Sequence, residues 1–597
     1  MQKSGKPGQP GFPCVFPKSE ERNLTMLDAF IQKANEGQSL WLPDVRGALA
    51  DSSEAVPVIF SLRLCTGERV DRCHYLPRWS TPEERRFAAE YLDACIFNTL
   101  SVYSGQELRF FPKERDPGIL TLLSGLEERF SRAGLAKGIR LAGRVSRSFG
   151  GGSFRFVLDN FENYRPLPVE PAAPSGGLAQ RLKRAAQAEG RANCCGVDVG
   201  GTDIKLVAAK GEKLVCVKEF DWNPSESPRA EGIIDSLQWL VRLMRACIAA
   251  EGNALFARLL PALEKDASLE TMALAVSEVE QALGDGVNVL DAVGISFPDV
   301  VIHNRIVGGE TPKTRGMRDN PAIDYETEFA KLTALNQSLA DLCRNGGRVS
   351  IINDGSMAAF TAAMELAHGD GEALIQQGVI AHSLGTDLGT GWITGEGLIP
   401  PLPLELYDCL LDLGSRPKRA YDVADLRCVC NENSRLPGVR RYTGQAAAFR
   451  LAWEQEPALL DGFTGTSGDI LYVKDRDPDL RKACLEHLMD LAESGKAQAE
   501  QVFLTIGANL GQVCREMEFL LHTGLSRRFL FGRFVKKPHC FELICQGCAR
   551  TAPGISLVAA DSGMAFTPLM QALACRPEVT VAQFGQAVGS AYYAFME

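Results

Sequence analysis

Apolar positions along the chain follow two periods, and the way these alternate divides it into parts. Residues 1–17 show no periodic apolar face; Met1–Pro13 is rich in Gly, Pro and Lys and reads as a disordered lead. Residues 18–165 mix both periods. Helical spacing predicts helices over Thr25–Asn35, Thr81–Thr99 and Pro117–Ala133. Val56–Leu64 reads as a strand, and Arg144–Leu158, with Gly150, Gly151 and Gly152 at its centre, reads as a β-hairpin. Residues 18–165 are therefore expected to form a mixed α/β domain, to which the pattern assigns no role. Residues 166–192 read as a linker: Arg165–Gly177 is rich in Pro, Ala and Gly, and Leu178–Gly190 is a polar helical stretch. Such a linker permits the N-terminal domain to move on its own.

The pattern changes at Asn193. Cys194–Val199 is an apolar run, Gly200-Gly201-Thr202 a turn, Ile204–Ala208 a second strand, Lys210–Lys213 a tight turn and Leu214–Phe220 a third strand. This is an antiparallel meander with a glycine corner. Ile233, Ile234, Leu237, Leu240, Val241 and Met244 then recur at helical spacing. The order returns further on. Phe329, Leu332, Leu335, Leu339 and Leu342 mark a helix stopped by Gly346-Gly347. Val349–Asn353 is a strand, Ser356–Leu366 a helix, and Gly378–Leu384 and Gly391–Thr394 are strands around another glycine turn. Two α/β units that each open with a strand and a glycine turn predict related lobes, 193–353 and 354–584, facing a cleft.

Composition narrows the function classes. The 597 residues carry 64 Lys plus Arg against 74 Asp plus Glu, a net charge of -10. Such a chain lacks the cation excess of a phosphate-backbone binder, so no nucleic-acid partner is expected. The 18 cysteines are spread over nearly the whole length rather than concentrated as in a small secreted scaffold. The N-terminus has no apolar signal core, and no run reaches the roughly 18 apolar residues of a membrane span. The expectation is a cytoplasmic protein with reduced, buried cysteines and no membrane partner.

Three stretches carry chemistry. In Asp198-Val199-Gly200-Gly201-Thr202-Asp203-Ile204-Lys205, glycines at a hairpin corner let backbone N–H groups approach an anion, and Thr202 adds a hydroxyl. Asp198 is placed to hold a hydrated Mg²⁺, and Lys205 to offset phosphate charge. In Ser383-Leu384-Gly385-Thr386-Asp387-Leu388-Gly389-Thr390-Gly391, the strand–turn–strand pattern returns. One glycine turn is weak evidence; two, each in a hairpin, offer a triphosphate a loop from each wall. Neither matches the G-x-x-x-x-G-K-[ST] loop or a G-x-G-x-x-G opening a helix, which argues against P-loop and Rossmann binding. In Ile351-Ile352-Asn353-Asp354-Gly355-Ser356, Asp354 sits where a strand gives way to a helix. Alone it reads as a helix cap. Between two glycine turns it reads as the carboxylate that accepts a hydroxyl proton in phosphoryl transfer.

Together these stretches resemble the ROK family of sugar kinases and sugar-responsive repressors, of the actin/hexokinase superfamily, over about residues 193–597. Gly294-Ile295-Ser296-Phe297-Pro298 looks like the family's strand into the sugar loop, and Asn353-Asp354 with Ala358-Ala359 and Glu365 like its N-D-x-x-A-A…E segment. Phe531-Gly532 resembles its nucleotide-side turn, and Ala587–Ala591 its terminal helix, expected here over 585–597 and packed on the first lobe. The resemblance implies an α/β, two-lobed actin/hexokinase-like domain with a duplicated β-meander, using ATP and Mg²⁺ to phosphorylate a sugar or sugar derivative. It implies Asp354 as base; Asp198, Gly200, Gly201, Thr202, Lys205, Gly385, Thr386, Gly389 and Gly532 on the nucleotide; and Pro298, Asn353 and Glu405 on the sugar. A homo-oligomer is left open.

The departures define the alternatives. Asp299 replaces a glycine after Pro298, Asp387 places negative charge at the second phosphate turn, Asp408 replaces the family's sugar- and zinc-binding histidine, and Arg533 replaces a glycine. The family's zinc stretch is reduced to Cys428-Val429-Cys430, with Arg441 in place of its last Glu; two ligands do not make a tetrahedral site, so no structural zinc is expected. A non-catalytic sugar- or nucleotide-sensing pseudokinase is the alternative. A DNA-binding repressor fits less well, because the N-terminal region is long and not basic. Cys540, Cys545 and Cys548 with His539 have metal-like spacing but read as an apolar helix, which also argues against a cluster-bearing dehydratase activator.

Overall fold

The computed structural model describes residues 25–168, 177–308, 312–385, 388–414, 438–463, 478–560 and 564–596. The expected disordered lead, Thr386, Asp387 and Cys428–Cys430 lie outside these residues. Among the described residues, no helix is long and apolar enough to cross a membrane.

In the N-terminal region, Thr25 and Thr81 start helices Met26–Asn35 and Pro82–Tyr103 with reciprocal capping boxes to Asp28 and Glu84. Strands β1 (Ala55–Arg63), β2 (Arg69–Pro77), β3 (Glu107–Pro112) and β4 (Arg155–Leu158) form one sheet in the order β2-β1-β3-β4. Two expectations fail here. Arg144–Leu158 is not a hairpin: helix Ala133–Ser148 runs through its first part. The glycine triplet stops that helix, with Gly150 at φ 75° and the Gly151 N–H donating to the Ser146 carbonyl at 2.8 Å. Only Arg155–Leu158 is extended, and it pairs parallel with β3. The helix expected over Pro117–Ala133 breaks at Gly125 into Pro117–Ser124 and Leu126–Phe130.

The first lobe is built on β5 (Asn193–Val199), β6 (Asp203–Lys210) and β7 (Lys213–Asp221), an antiparallel meander. β8 (Ala292–Phe297) lies parallel to β5; the short pair β9 (Val301–Ile302) and β10 (Arg305–Ile306) follows it; β11 (Arg348–Asn353) lies parallel to β8. The sheet order is β11-β8-β5-β6-β7. Helix Glu231–Ala250 covers one face with Ile233, Leu237, Leu240, Val241 and Met244 buried, as the helical spacing requires.

The second lobe repeats the plan. β12 (Gly378–Leu384) and β13 (Leu388–Thr394) are an antiparallel hairpin, and β14 (Arg527–Gly532) and β15 (Ser556–Ala559) continue parallel to β12 in the order β13-β12-β14-β15. This matches β6-β5-β8-β11 strand for strand. The sheet is thus duplicated, as expected of two related lobes, with the N-terminal region added. Helix Val581–Tyr593, where 585–597 was expected, presses on the first lobe: a Cβ on Gly196 would stand 1.9 Å from the Ala587 carbonyl, and one on Gly294 1.7 Å from that of Ser590. Only glycine permits that approach.

The N-terminal region is not loosely tethered. One hydrophobic core joins its Leu27, Val45, Phe60 and Phe110 to Leu410, Phe449, Phe503 and Leu530 of the second lobe. Arg46 forks onto Glu516 at 2.7 and 3.0 Å inside this contact. Asn98 donates to the Leu410 carbonyl at 2.9 Å and accepts from its N–H at 2.6 Å. Independent movement, which the linker composition permits, would break this core.

Candidate active site between the glycine hairpins

Three parallel strands end side by side. In register, Asp198 of β5 pairs with Ser296 of β8, and Phe297 of β8 with Asn353 of β11. Their carboxyl ends therefore deliver Asp198, Pro298-Asp299 and Asn353-Asp354 to one ridge, where open α/β sheets bind ligands. Asn353 locks the ridge: its Nδ2 donates to the Asp299 carbonyl at 3.0 Å, and its Oδ1 accepts from the Gly355 N–H at 2.9 Å, capping helix Asp354–His368. Asp354 also accepts from the Gly355 N–H at 2.9 Å and stays partly exposed.

Burial pushes the Asp198 carboxyl up to about 6; the charges of Asp354 and Asp203 add to this, while the Ser296 hydroxyl and Lys205 oppose it. Carboxylates this close favour a cation between them. Among the described residues no cluster of three or more His, Cys, Asp or Glu could hold a metal by itself. That donor set suits Mg²⁺, which keeps several waters and takes only one or two protein carboxylates alongside phosphate.

At the first glycine turn, the Gly200 N–H donates to the Asp203 carbonyl at 2.8 Å, and a Cβ on Gly200 would come within 2.6 Å of that oxygen. Thr202 is exposed at the corner. Lys205, expected as a phosphate counter-charge, is ion-paired with Asp203. Another cation stands at the turn: Lys313 donates to the Pro298 carbonyl at 3.2 Å, and its Cε lies 3.4 Å from where a Gly201 side chain would begin. Nothing local in the sequence marks Lys313, because its loop meets the turn only through the tertiary fold.

The hairpin β12–β13 meets the same ridge. The start of helix Asp354–His368 is pressed against β13: a Cβ on Gly391 would stand 2.0 Å from the Gly355 carbonyl, and one on Gly355 2.5 Å from that of Thr390. Gly385 follows the end of β12, its carbonyl accepting from the Gln445 N–H at 3.0 Å. Gly389 pairs with Ser383 across the hairpin. Gly532, at φ 102°, pairs with Leu384 at the end of β14, where a Cβ would stand 2.0 Å from the Leu384 carbonyl. Gly385 and Gly532 thus close adjacent strand ends of the second sheet.

Glu405 reaches the ridge from the second lobe. It is buried, its Oε2 has no hydrogen-bond partner, and its carboxyl is pushed up to about 8 by burial and by Asp408. A hydrogen bond with Tyr407 and the charge of Lys137 pull the other way. Asp408 is buried too, paired with Lys137 and, at 3.4 Å, with Arg440, whose guanidinium lies 4.2 Å from the Tyr407 ring centre. Lys137 belongs to helix Ala133–Ser148, so the N-terminal region enters the site. The expected hairpin concealed that contribution.

No family model matches the chain, and no curated protein matches it. Solved structures of similar shape include a ROK family glucokinase from Streptomyces griseus in complex with glucose and AMPPNP, at 20% identity, covering 64% of this chain and 97% of that one, TM-score 0.36. A ROK hexokinase from Thermus thermophilus is similar at 15% identity over 64% of this chain and 97% of its own, TM-score 0.34. A glucokinase from Balamuthia mandrillaris in complex with glucose is similar at 12% identity over 66% and 98%, TM-score 0.34.

Proposed function

We propose that this chain is an ATP-dependent kinase that transfers the γ-phosphoryl group to a hydroxyl of a sugar or sugar derivative. One observation supports this above the rest: the ends of β5 and β11, on either side of β8, carry Asp198 and Asp354 within electrostatic reach of each other, and the helix opening at Asp354 abuts the second glycine hairpin. A carboxylate for the hydroxyl proton is thereby held between two turns able to take phosphates.

In this reading Asp354 accepts the proton of the attacking hydroxyl. Asn353, held by the Asp299 carbonyl, fixes the strand end from which Asp354 projects. Gly200, Gly201 and Thr202 on one wall, and Gly385, Thr386, Gly389 and Gly532 on the other, take the nucleotide. Pro298, Asn353 and Glu405 border the sugar. Asp198 would hold Mg²⁺ through water, and the ion would supply charge neutralisation to the phosphates. Closing the lobes excludes water and suppresses hydrolysis of ATP.

The test is ADP release from ATP and Mg²⁺ across a sugar panel, with Asp354→Asn beside the wild type. Sugar-dependent turnover in the wild type, reduced about a hundredfold or more in the variant while ATP still binds, is the expected result. Turnover that survives in the variant removes Asp354 as the base. ATP binding without turnover on any sugar favours a non-catalytic sensor on the same fold.

A further inference from the structure

Helix Ala133–Ser148 touches both lobes at the mouth of the cleft. Towards the second lobe, Lys137 pairs with the buried Asp408, and its ammonium lies 5.6 Å from the Tyr407 ring centre. Towards the first lobe, Arg144 reaches Glu326 at 2.6 Å and lies over Tyr325 and Phe329 at 5.3 and 5.8 Å. Between these ends, Leu141 and Val145 pack on Val300, Ile302 and Val307, in the loop that leaves β8 just after Pro298. The helix therefore roofs the loop carrying Pro298 and Asp299 and braces the loop carrying Glu405 and Asp408.

Three carboxylates gather at this junction. Asp299, Glu405 and Asp408 are all buried, and all three act on one another's region through the Glu405 carboxyl. Arg440, from the second lobe, faces Asp408 at 3.4 Å. Lys137 reaches in from outside the two lobes, pairing with Asp408 and acting on Glu405 through its charge. Its ammonium carries three donors, of which Asp408 takes one. Asp408 is tied to Glu405 by its own N–H, which donates to the Glu405 carbonyl at 3.1 Å, and the Glu405 Oε2 is buried with no partner. An ammonium donor and an unpartnered carboxyl oxygen, brought to one turn through Asp408, suit a hydroxyl, which accepts from the first and pairs with the second.

We infer that helix Ala133–Ser148 is a wall of the sugar site and that Lys137 is a specificity-determining residue, placing a substrate hydroxyl between itself and Glu405. The inference rests on the reading of this cleft as a sugar site. It makes the N-terminal region part of the substrate-binding unit.

The experiment is calorimetric sugar binding to the full chain, with the best substrate of the panel, for wild type, Lys137→Met and Lys137→Gln. KM for sugar and for ATP is measured alongside. Methionine keeps the length of the side chain, and glutamine keeps a donor to Asp408, so at least one variant retains the fold by its thermal unfolding midpoint. The expected result is a sugar Kd and KM raised about tenfold or more in the folded variant, with KM for ATP within about twofold of wild type, and partial recovery in Lys137→Arg. Equal sugar affinity in wild type and variant overturns the role of Lys137 and leaves the kinase reading standing. Parallel loss of sugar and ATP affinity overturns it too, as damage to the fold. A wild type that binds no sugar overturns both.

Discussion

Replacing Arg46 by methionine tests whether the N-terminal region and the second lobe fold as one body. Arg46 and Glu516 are 5% and 1% exposed, and the guanidinium lies 3.8 Å from the Phe519 ring centre. The substitution leaves Glu516 with the Asn98 amide at 2.8 Å in a site closed to water. Removing one partner of a buried pair costs about 3–5 kcal/mol, because the remaining charge has lost its compensation. Replacing both partners by apolar residues of similar volume is often close to neutral. Arg46→Met is therefore expected to lower the unfolding free energy by about 3–5 kcal/mol, and Arg46→Met with Glu516→Leu to recover most of it, giving a coupling of about 2 kcal/mol or more. The assay is urea unfolding followed by tryptophan fluorescence. Trp41 reports on the contact directly, since its ring stands edge-on to Tyr442 at 4.8 Å. A cost under about 1 kcal/mol, or a wild-type N-terminal region that melts in a separate earlier transition, would refute the shared core.

Two further substitutions test the site and its support. Gly391→Ala places a Cβ 2.0 Å from the Gly355 carbonyl and pushes back the helix start that carries Asp354. The expected outcome is a kcat reduced about tenfold to a hundredfold with circular dichroism unchanged, and wild-type kcat would show that the hairpin does not hold Asp354. Glu189, buried beside Cys194, has its carboxyl pushed up to about 8 by burial, against an ordinary 4.5. Between those values the native carboxyl keeps its proton and the unfolded one loses it, so this group lowers stability by about 1.4 kcal/mol per pH unit as pH rises, levelling off above about 8. Glu189→Gln should flatten that slope in chemical unfolding measured from pH 5 to 9; equal slopes would count against the protonated carboxyl.

Both glycine hairpins, the strand into Pro298 and the Asn353-Asp354 strand end were legible because each is a local pattern: an apolar run, a turn residue, a second run. Helix Ala133–Ser148 was not. Gly138 and Gly143 weaken its helical signal, and packing on Phe97 and Leu100, which a Cβ at Gly138 would meet at an ordinary 3.4–3.5 Å, is not visible in the local pattern. The glycine triplet after it offers the same permissive backbone to a helix stop as to a hairpin turn, and only packing decides between them. Lys137, Lys313 and Arg144 carry no local signature at all. Each gains its position from elements distant in sequence, and Lys205, which had the right local position, is taken by its neighbour Asp203.

That distribution bears on how the cleft moves. The N-terminal region shares an extensive core with the second lobe, whereas its hold on the first is a small apolar cluster ringed by polar and aromatic contacts, among them Arg144 on Glu326, Tyr325 and Phe329 and Arg305 on the Ser148 carbonyl. Any closing motion of the lobes must yield at the weaker contact. The weaker contact includes Val300, Ile302 and Val307, which follow Pro298 and Asp299 on the side of the cleft proposed for the sugar. If the lobes close, the segment after Pro298 would slide against helix Ala133–Ser148, while Lys137, Glu405 and Asp408 would travel together with the second lobe. A substrate hydroxyl held by Lys137 and Glu405 would ride with that lobe towards Asp354, so recognition by the N-terminal region and approach to the base become one displacement.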